Sequence, residues 1–336
     1  MNKKKIKIAS LVVGSAVCFS CLATTVCVSA KSAFNKTENK LQTNSVVFAN
    51  TPNLSNSNSN ALVPLSETIL TESSSEDTEF VTVDSEFGSI KEEIWHKMLN
   101  SIDYYNTVSG KMIYSDCPGE DVYVEYQTNL NESNAYTKVQ EINVFDSSAA
   151  VMSSDFSAYT NANTFAVEVF TNGTSLTTLD NIDKTAVNEK NSVFTRENAE
   201  ELKDDERVVI EEDGTPGYYY RCDVTNTFLA NASLFPQEMT FGFLTDFDLW
   251  DIDKVEPYVG RECYVISGVS SEDYGNKIGV KNFQMYVDCA TGVLLKYVGY
   301  DEDENIHAYL ATEEIHFEER NAVIYKPSTT GYAFIE

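Results

Sequence analysis

The sequence predicts a mainly β protein whose antiparallel sheet is packed by one N-terminal amphipathic helix and a few short helices. From Val108 onward, apolar and polar residues alternate in several segments that are rich in β-branched and aromatic residues, which is typical of strands. Asn172-Gly173 lies between two such segments and predicts a type I′ hairpin turn. Short turns join the consecutive strands of the last third, which favours antiparallel pairing.

The first thirty residues have the pattern of an export signal. Lysines precede an apolar run from Ile8 to Val28, and small residues precede Lys31. The run is longer than the ~7–15 residues of a usual signal core and approaches the ~20 that span a bilayer. Residues 1–30 are therefore predicted to be either a cleaved signal peptide or an uncleaved anchor. Both predict an extracytoplasmic protein, secreted or tethered to the outer face of the cytoplasmic membrane.

Three further regions follow this segment. Residues 31–85 are rich in Asn, Ser and Thr and have neither helical nor strand periodicity, so we predict a disordered linker. Residues 86–320 are predicted to form the β domain. Residues 321–336 are predicted to be a short C-terminal tail.

The domain begins with a predicted helix. Apolar residues recur at steps of three and four, and the early carboxylates Glu92 and Glu93 suit the positive end of a helix. The apolar stripe consists of Ile90, Ile94, Trp95, Met98, Leu99 and Ile102.

The rest of the domain is predicted to hold nine to eleven strands. A second helix is predicted to begin near Pro236, because proline is tolerated in a first helical turn. The segment Asp246–Asp253 alternates acids with apolar residues and predicts a strand with one wet face. The last four strands are predicted at Val259–Gly268, Val280–Asp288, Val293–Tyr300 and Ile306–Phe317.

The charge and the motifs limit the function. A formal net charge of −28 makes nucleic acid an unsuitable partner. No nucleophile motif, histidine metal box or phosphate loop occurs, so we expect no enzyme activity, no metal and no cofactor. The sequence leaves open whether the cysteines after the signal segment form disulfides or remain thiols, and these are Cys117, Cys222, Cys263 and Cys289.

The predicted sheet is apolar on both faces. In residues 283–288, Phe283, Met285 and Val287 alternate with a second face that includes Tyr286, whereas a sheet with one wet face alternates more cleanly. Two readings remain open. Either a helix and loops cover the second face, or a concave face binds an apolar ligand.

These segments resemble the superfamily of the lipoprotein carrier LolA and the envelope-stress regulator RseB. The resemblance rests on the order of the helix and strands, on the strand that begins at Gly260 and contains Cys263–Ile266, and on Asp288 before the Thr291-Gly292 turn. It implies a curved, antiparallel half-barrel sheet covered by helices, with a hydrophobic cavity for acyl chains or a lipidated peptide. The signal and spacer resemble those of a Gram-positive protein, so carriage to an outer membrane is not implied.

The predicted function is non-catalytic binding of an acyl-chain or lipoprotein-like ligand, in envelope transport or sensing. The alternative is a protein–protein interaction module that regulates a membrane partner of the anti-sigma type. The candidate apolar lining residues are Phe241, Phe243, Trp250, Met285 and Val287.

Overall fold

The computed structural model describes residues 89–160, 165–190, 203–210, 212, 216–223, 227–318 and 323–335. The predicted signal segment and linker lie outside the described residues. The boundaries of the domain and of the tail therefore stay predictions.

Six α-helices are described, and two short 3₁₀ helices, Ser101–Asp103 and Phe228–Ala230, accompany them. The α-helices are α1 Ile90–Leu99, α2 Ser147–Met152, α3 Asp204–Arg207, α4 Asn231–Leu234, α5 Gln237–Leu244 and α6 Glu272–Ile278. The predicted N-terminal helix is confirmed, although it ends at Leu99 and Ile102 belongs to the following 3₁₀ turn. The helix predicted after Pro236 is also confirmed, with Pro236 as its N-cap.

Fourteen strands are described. The first eight are β1 Thr107–Ser115, β2 Val122–Asn129, β3 Asn134–Glu141, β4 Val167–Asn172, β5 Ser175–Asp180, β6 Thr185–Lys190, β7 Val208–Ile210 and β8 Pro216–Tyr218. The others are β9 Trp250–Tyr258, β10 Arg261–Val269, β11 Asn282–Asp288, β12 Leu294–Tyr300, β13 Ile306–Phe317 and β14 Ala333–Phe334.

Twelve of these strands form one curved, open sheet in the order β14-β6-β5-β4-β3-β2-β1-β13-β12-β11-β10-β9. All neighbours pair antiparallel except β14, which pairs parallel with β6. β7 and β8 form a separate hairpin. The predicted mainly β class with a curved half-barrel sheet is therefore confirmed.

The two faces of the sheet carry separate hydrophobic cores. On β1, Met112 belongs to a large core with α1, α4 and α5, whereas the next residue, Ile113, belongs to a smaller core with α2. We call the face under α1, α4 and α5 the inner face and the face under α2 the outer face. Of the two readings of a sheet with two apolar faces, the structure supports coverage of both faces.

The C-terminal segment lies on the outer face. The ring of Tyr325 packs against Tyr136 at 4.8 Å between centroids, and the Tyr325 amide donates to Gln127 Oε1 at 2.9 Å. Gln127 lies four residues after Tyr123 on β2 and shares its outer side. β14 then covers the edge strand β6.

Two local predictions differ from the structure. In the turn between β4 and β5, Gly173 has a φ of +79° and is the turn residue with positive φ, so the turn is not type I′. The Asn172 side chain instead accepts hydrogen bonds from the Thr174 and Ser175 amides at 3.2 and 2.9 Å. In the predicted strand Asp246–Asp253, the strand begins only at Trp250.

Candidate functional site

The five predicted lining residues lie together in the core of the inner face. Phe241 and Phe243 belong to α5, Trp250 begins β9, and Met285 and Val287 lie on β11. Each is only 0–2% exposed. Their side chains therefore pack against other core residues, and Trp250 also lines a groove at the surface.

Phe241 is covered by aromatic and cationic side chains. Its ring stacks with Tyr218 and meets Tyr220 edge-on, both at 5.0 Å between centroids, and Trp95 lies edge-on at 6.3 Å. The Arg207 guanidinium lies 5.5 Å from the same ring. Because Tyr218 and Tyr220 are themselves 37% and 48% exposed, an aromatic path runs from the surface to the buried Phe241.

Phe243 continues this aromatic layer toward the sheet. Its ring lies 4.6 Å from Phe283, 5.0 Å from Tyr274 and 5.4 Å from Tyr297. A Cβ on the preceding Gly242 would lie 2.2 Å from the Tyr274 ring, so glycine permits α6 to pack against α5 at this point.

Trp250, at the start of β9, is joined to the start of α1. Lys91 Nζ donates to the carbonyls of Phe247 and Trp250 and to Asp251 Oδ1, and it lies 4.9 Å from the Trp250 ring. The Trp250 Nε1–H donates to the Leu244 carbonyl at 3.2 Å, which ties β9 to α5. The tryptophan that the sequence predicts as lining is thus part of a helix–sheet junction.

Two buried arginines hold the β7–β8 hairpin against α1. Arg207 Nε donates to the Tyr219 carbonyl at 2.7 Å, and Arg207 also donates to Asn100 and Gln237. Arg221 donates to Asn100 Oδ1 at 2.9 Å and to Asp103 Oδ2 at 2.6 Å. Burial, together with the charge of Arg221, lowers the pKa of Arg207 to about 10.

Sequence reasoning missed this arrangement. Arginine is rarely buried without partners, and its partners here come from α1, the 3₁₀ turn after it and α5, which are distant in sequence. No local periodicity marks such a residue as buried.

The turn that carries the family resemblance has a structural role. Asp288 is 1% exposed and accepts two hydrogen bonds from Arg261 at 2.9 and 3.0 Å, and the Thr291 amide and hydroxyl donate to it as well. Lys97 of α1 donates to the Cys289 carbonyl at 2.8 Å. These contacts fix the β11–β12 turn beneath α1.

The four cysteines of the described residues are in the thiol form and not in disulfides. Burial raises the pKa of Cys263 to about 12 and that of Cys289 to about 11, with further contributions from Asp288. Neither thiol is therefore prepared for nucleophilic attack, because the thiolate is the reactive form.

One group of side chains in the described part of the chain could hold a metal ion. The donor atoms of Asp116, Cys117 and Glu120, in the turn between β1 and β2, lie within 4.8 Å of one another. Burial and the charge of Glu120 raise the pKa of Asp116, while a hydrogen bond from the Cys117 thiol acts in the opposite direction.

An open groove of about 510 Å³ lies at the surface where β9 begins. Trp250 and Phe283 line it on the apolar side, and three carboxylates, Asp248, Asp251 and Asp253, line it on the polar side. The neighbouring strand β9 is an edge of the sheet of described strands. Its charges and Pro257 are features that protect an edge from pairing with another strand.

No helix among the described residues has both the length and the apolar character that a membrane span requires.

Comparison with known proteins places the fold beside several solved bacterial structures. The MucA/MucB complex of Pseudomonas aeruginosa matches with 13% identity and a TM-score of 0.35, over 70% of this chain and 59% of the matched chain. LprF from Mycobacterium bovis matches with 12% identity and a TM-score of 0.33, over 72% and 97%. A domain from Vibrio parahaemolyticus assigned to outer membrane lipoprotein sorting matches with 8% identity and a TM-score of 0.25, over 68% and 93%.

These matches include both kinds of protein that the sequence resemblance names, the RseB-type protein MucB and a lipoprotein-sorting domain. The chain spans about three fifths of the MucB chain in the complex. No protein-family model and no curated protein matches the chain. At these identities and TM-scores the likeness concerns the fold, and no functional residue is transferred from it.

Proposed function

We propose that this chain is an exported, non-catalytic binding protein for an acyl-chain or lipoprotein-like ligand, acting in envelope transport or sensing. It works outside the cytoplasmic membrane, either secreted or tethered to the outer face of that membrane. The proposed ligand enters between the inner face of the sheet and the helices that cover it. Phe241, Phe243, Trp250, Met285 and Val287 are the proposed lining.

The aromatic path through Tyr218 and Tyr220 to Phe241 is the observation that supports this proposal most. A half-exposed tyrosine offers an apolar ring and a polar tip, which suits the mouth of an apolar site. Besides the ten-residue α1, the covering layer consists of short elements, the four-residue α4, the eight-residue α5 and the three-residue strands of the β7–β8 hairpin. Such a layer can move aside at lower cost than a second sheet.

Binding would exchange the aromatic contacts around Phe241 for contacts with an acyl chain, and the free energies of the two can be compared. Each aromatic pair around Phe241 contributes about 0.5–1.5 kcal/mol beyond its buried area. Three such pairs therefore amount to about 1.5–4.5 kcal/mol. An acyl chain that buries about twelve methylenes gains on the order of 10 kcal/mol. This gain exceeds what the three ring contacts of Phe241 contribute beyond their buried area.

Displacement of an environment-sensitive apolar dye, with native mass spectrometry of the same preparation, tests the proposal. We expect the purified protein to carry or acquire one acyl-chain ligand, and added lipid to release the dye. Phe145→Ala is the control variant and should bind lipid and release the dye as the wild-type protein does, because Phe145 is 97% exposed and lies away from the inner face. Absence of both lipid binding and dye displacement would contradict the proposal.

The acidic groove beside β9 favours a second candidate function, regulation of a membrane-protein partner of the anti-sigma type. Asp248 and Asp253 make no ion pair among the described residues, whereas Asp251 pairs with Lys91. A partner with a basic segment would complement these charges. Crosslinking in membranes tests this candidate, with the wild-type protein and with a variant that carries both Asp248→Asn and Asp253→Asn. The candidate requires a crosslink that salt weakens and that the two substitutions weaken.

A further inference from the structure

Lys296 on β12 is a buried lysine with few polar contacts. The residue is only 6% exposed, and among the described residues no carboxylate lies within ion-pair distance of its ammonium. Tyr258 and Tyr286 face the ammonium at 5.7 and 5.1 Å from their ring centroids. Glu256 influences the ammonium through its charge, but Glu256 pairs with Lys254 at 2.6 Å.

The remaining contact of this ammonium is the thioether of Met152. The distance from Lys296 Nζ to Met152 Sδ is 3.8 Å. A thioether sulfur is a weak acceptor, whereas an ammonium offers three donors. The hydrogen-bonding capacity of Lys296 is therefore largely unused, which agrees with the lowering of its pKa by burial.

Among the methionines of the described residues, Met152 is also the one most open to solvent. It is 78% exposed at the end of α2, while Met98, Met112 and Met285 are completely buried. Met239, the remaining methionine of the described part of the chain, is half-buried against the inner core. Because oxidants reach exposed side chains first, Met152 should react before the others.

The helix that carries Met152 is held against the outer face. Ala150 and Val151 of α2 are 0% and 4% exposed and belong to the outer core. The Met152 residue is thus largely exposed, while its sulfur lies 3.8 Å from the ammonium.

We propose that Met152 is an oxidation site whose sulfoxide is bound by Lys296, so that oxidation strengthens the attachment of α2 to the sheet. The oxidant is a peroxide. The sulfur lone pair attacks one peroxide oxygen, an S–O bond forms and the O–O bond breaks. The proton of the transferred oxygen leaves with the second oxygen as water, so the sulfur loses two electrons and the peroxide gains them.

The sulfoxide oxygen is a much better acceptor than the thioether. The new contact is a charge-assisted hydrogen bond to an ammonium that is already desolvated and held by two tyrosine rings. Oxidation of methionine usually disrupts packing because it makes an apolar side chain polar. At Met152 the sulfoxide oxygen instead accepts a hydrogen bond from the Lys296 ammonium, so oxidation should stabilise the protein and not destabilise it.

Limited treatment of the protein with hydrogen peroxide tests this proposal. Peptide mapping by mass spectrometry should find Met152 oxidised before the other methionines. The melting temperature should then rise by about 2–4 °C. Met152→Leu should abolish the rise, which separates it from oxidation of the cysteine thiols, and Lys296→Met should abolish it although Met152 still oxidises.

A second measurement does not depend on the folding of a lysine variant. The rate at which acetic anhydride acetylates Lys296 in the wild-type protein should fall severalfold after oxidation, because the sulfoxide binds the ammonium. A fall in melting temperature on oxidation of Met152, an equal shift in Lys296→Met, or an unchanged acetylation rate would overturn the proposal.

Discussion

Gly292 occupies a left-handed backbone position pressed against helix α1. Its φ is +74°, and a Cβ placed on it would lie 2.3 Å from the Lys97 carbonyl carbon. Gly260 has a similar φ of +77°, but a Cβ on it would meet nothing within 4 Å. The two glycines therefore separate the cost of the backbone conformation from the cost of a collision with α1.

We expect Gly260→Ala to lower the free energy of unfolding by about 1–2 kcal/mol, the cost of a left-handed alanine. Gly292→Ala should lower it by about 4 kcal/mol or more, because α1 must also shift. Urea denaturation of the two variants measures both values. Equal losses would contradict the close packing of the β11–β12 turn beneath α1.

The Asp288 and Thr291-Gly292 pattern illustrates what a residue motif can reveal. The sequence correctly marked these positions as a turn between two strands. Their contacts with Arg261 and Lys97 could not be inferred, because those residues lie on other elements and no local pattern pairs them with the turn.

At the scale of elements, α5 carries the clearest electrostatic conflict. Burial raises the pKa of Glu238 in its first turn, Lys277 acts against this shift, and Asp116 adds to it. The ionised carboxylate is therefore less favourable in the folded state than in the unfolded state. A raised folded pKa means that the folded protein binds the proton more tightly, so this group lowers stability as pH rises above 4.5.

We expect Glu238→Gln to increase the free energy of unfolding at pH 7 and to have little effect at pH 3, where the wild-type carboxyl is protonated. Glu92→Gln is the matched control, since Glu92 also lies in a first helical turn, in α1, but is exposed. Glu92→Gln should lower the free energy of unfolding by a few tenths of a kcal/mol, because the carboxylate no longer interacts with the positive end of the helix dipole. Denaturation at both pH values measures these free energies of unfolding. A lower free energy of unfolding for Glu238→Gln at pH 7 would contradict the claim that the ionised Glu238 carboxylate destabilises the fold.

The periodicity of the sequence predicted some helices and strands more accurately than others. Strand β13 was predicted with its observed bounds, Ile306–Phe317, because a long alternating segment between short turns allows few other strand boundaries. The turn at Asn172-Gly173 was located correctly, but its type was wrong. The asparagine side chain supplies the acceptor for the turn amides, so its backbone does not need the positive φ that the dipeptide suggested.

At the scale of the whole molecule, the two edges of the large sheet differ in how they are protected from pairing with other strands. The C-terminal strand β14 covers β6, whereas β9 forms the other edge among the described strands. Acidic residues and Pro257 lie along β9, and a formal net charge of −28 adds repulsion between copies of the chain.

Phe241, Phe243 and Met285 were predicted from the sequence as apolar lining residues, and that role stays a prediction. The structure places all three in the core of the inner face. Whether a face is filled by the chain or by a ligand depends on distant segments. Here Tyr218 and Tyr220 of the hairpin region cover Phe241, and nothing in the alternation of α5 or β11 indicated this.

Photoaffinity labelling with a diazirine-bearing fatty acid tests the central claim most directly. If an acyl chain binds between the inner face and its helices, labelling will be saturable, will be competed by unlabelled lipid and will map to peptides of α5, which does not line the surface groove. Labelling that is not saturable, or that is confined to Phe145 and the surface groove, would contradict the account.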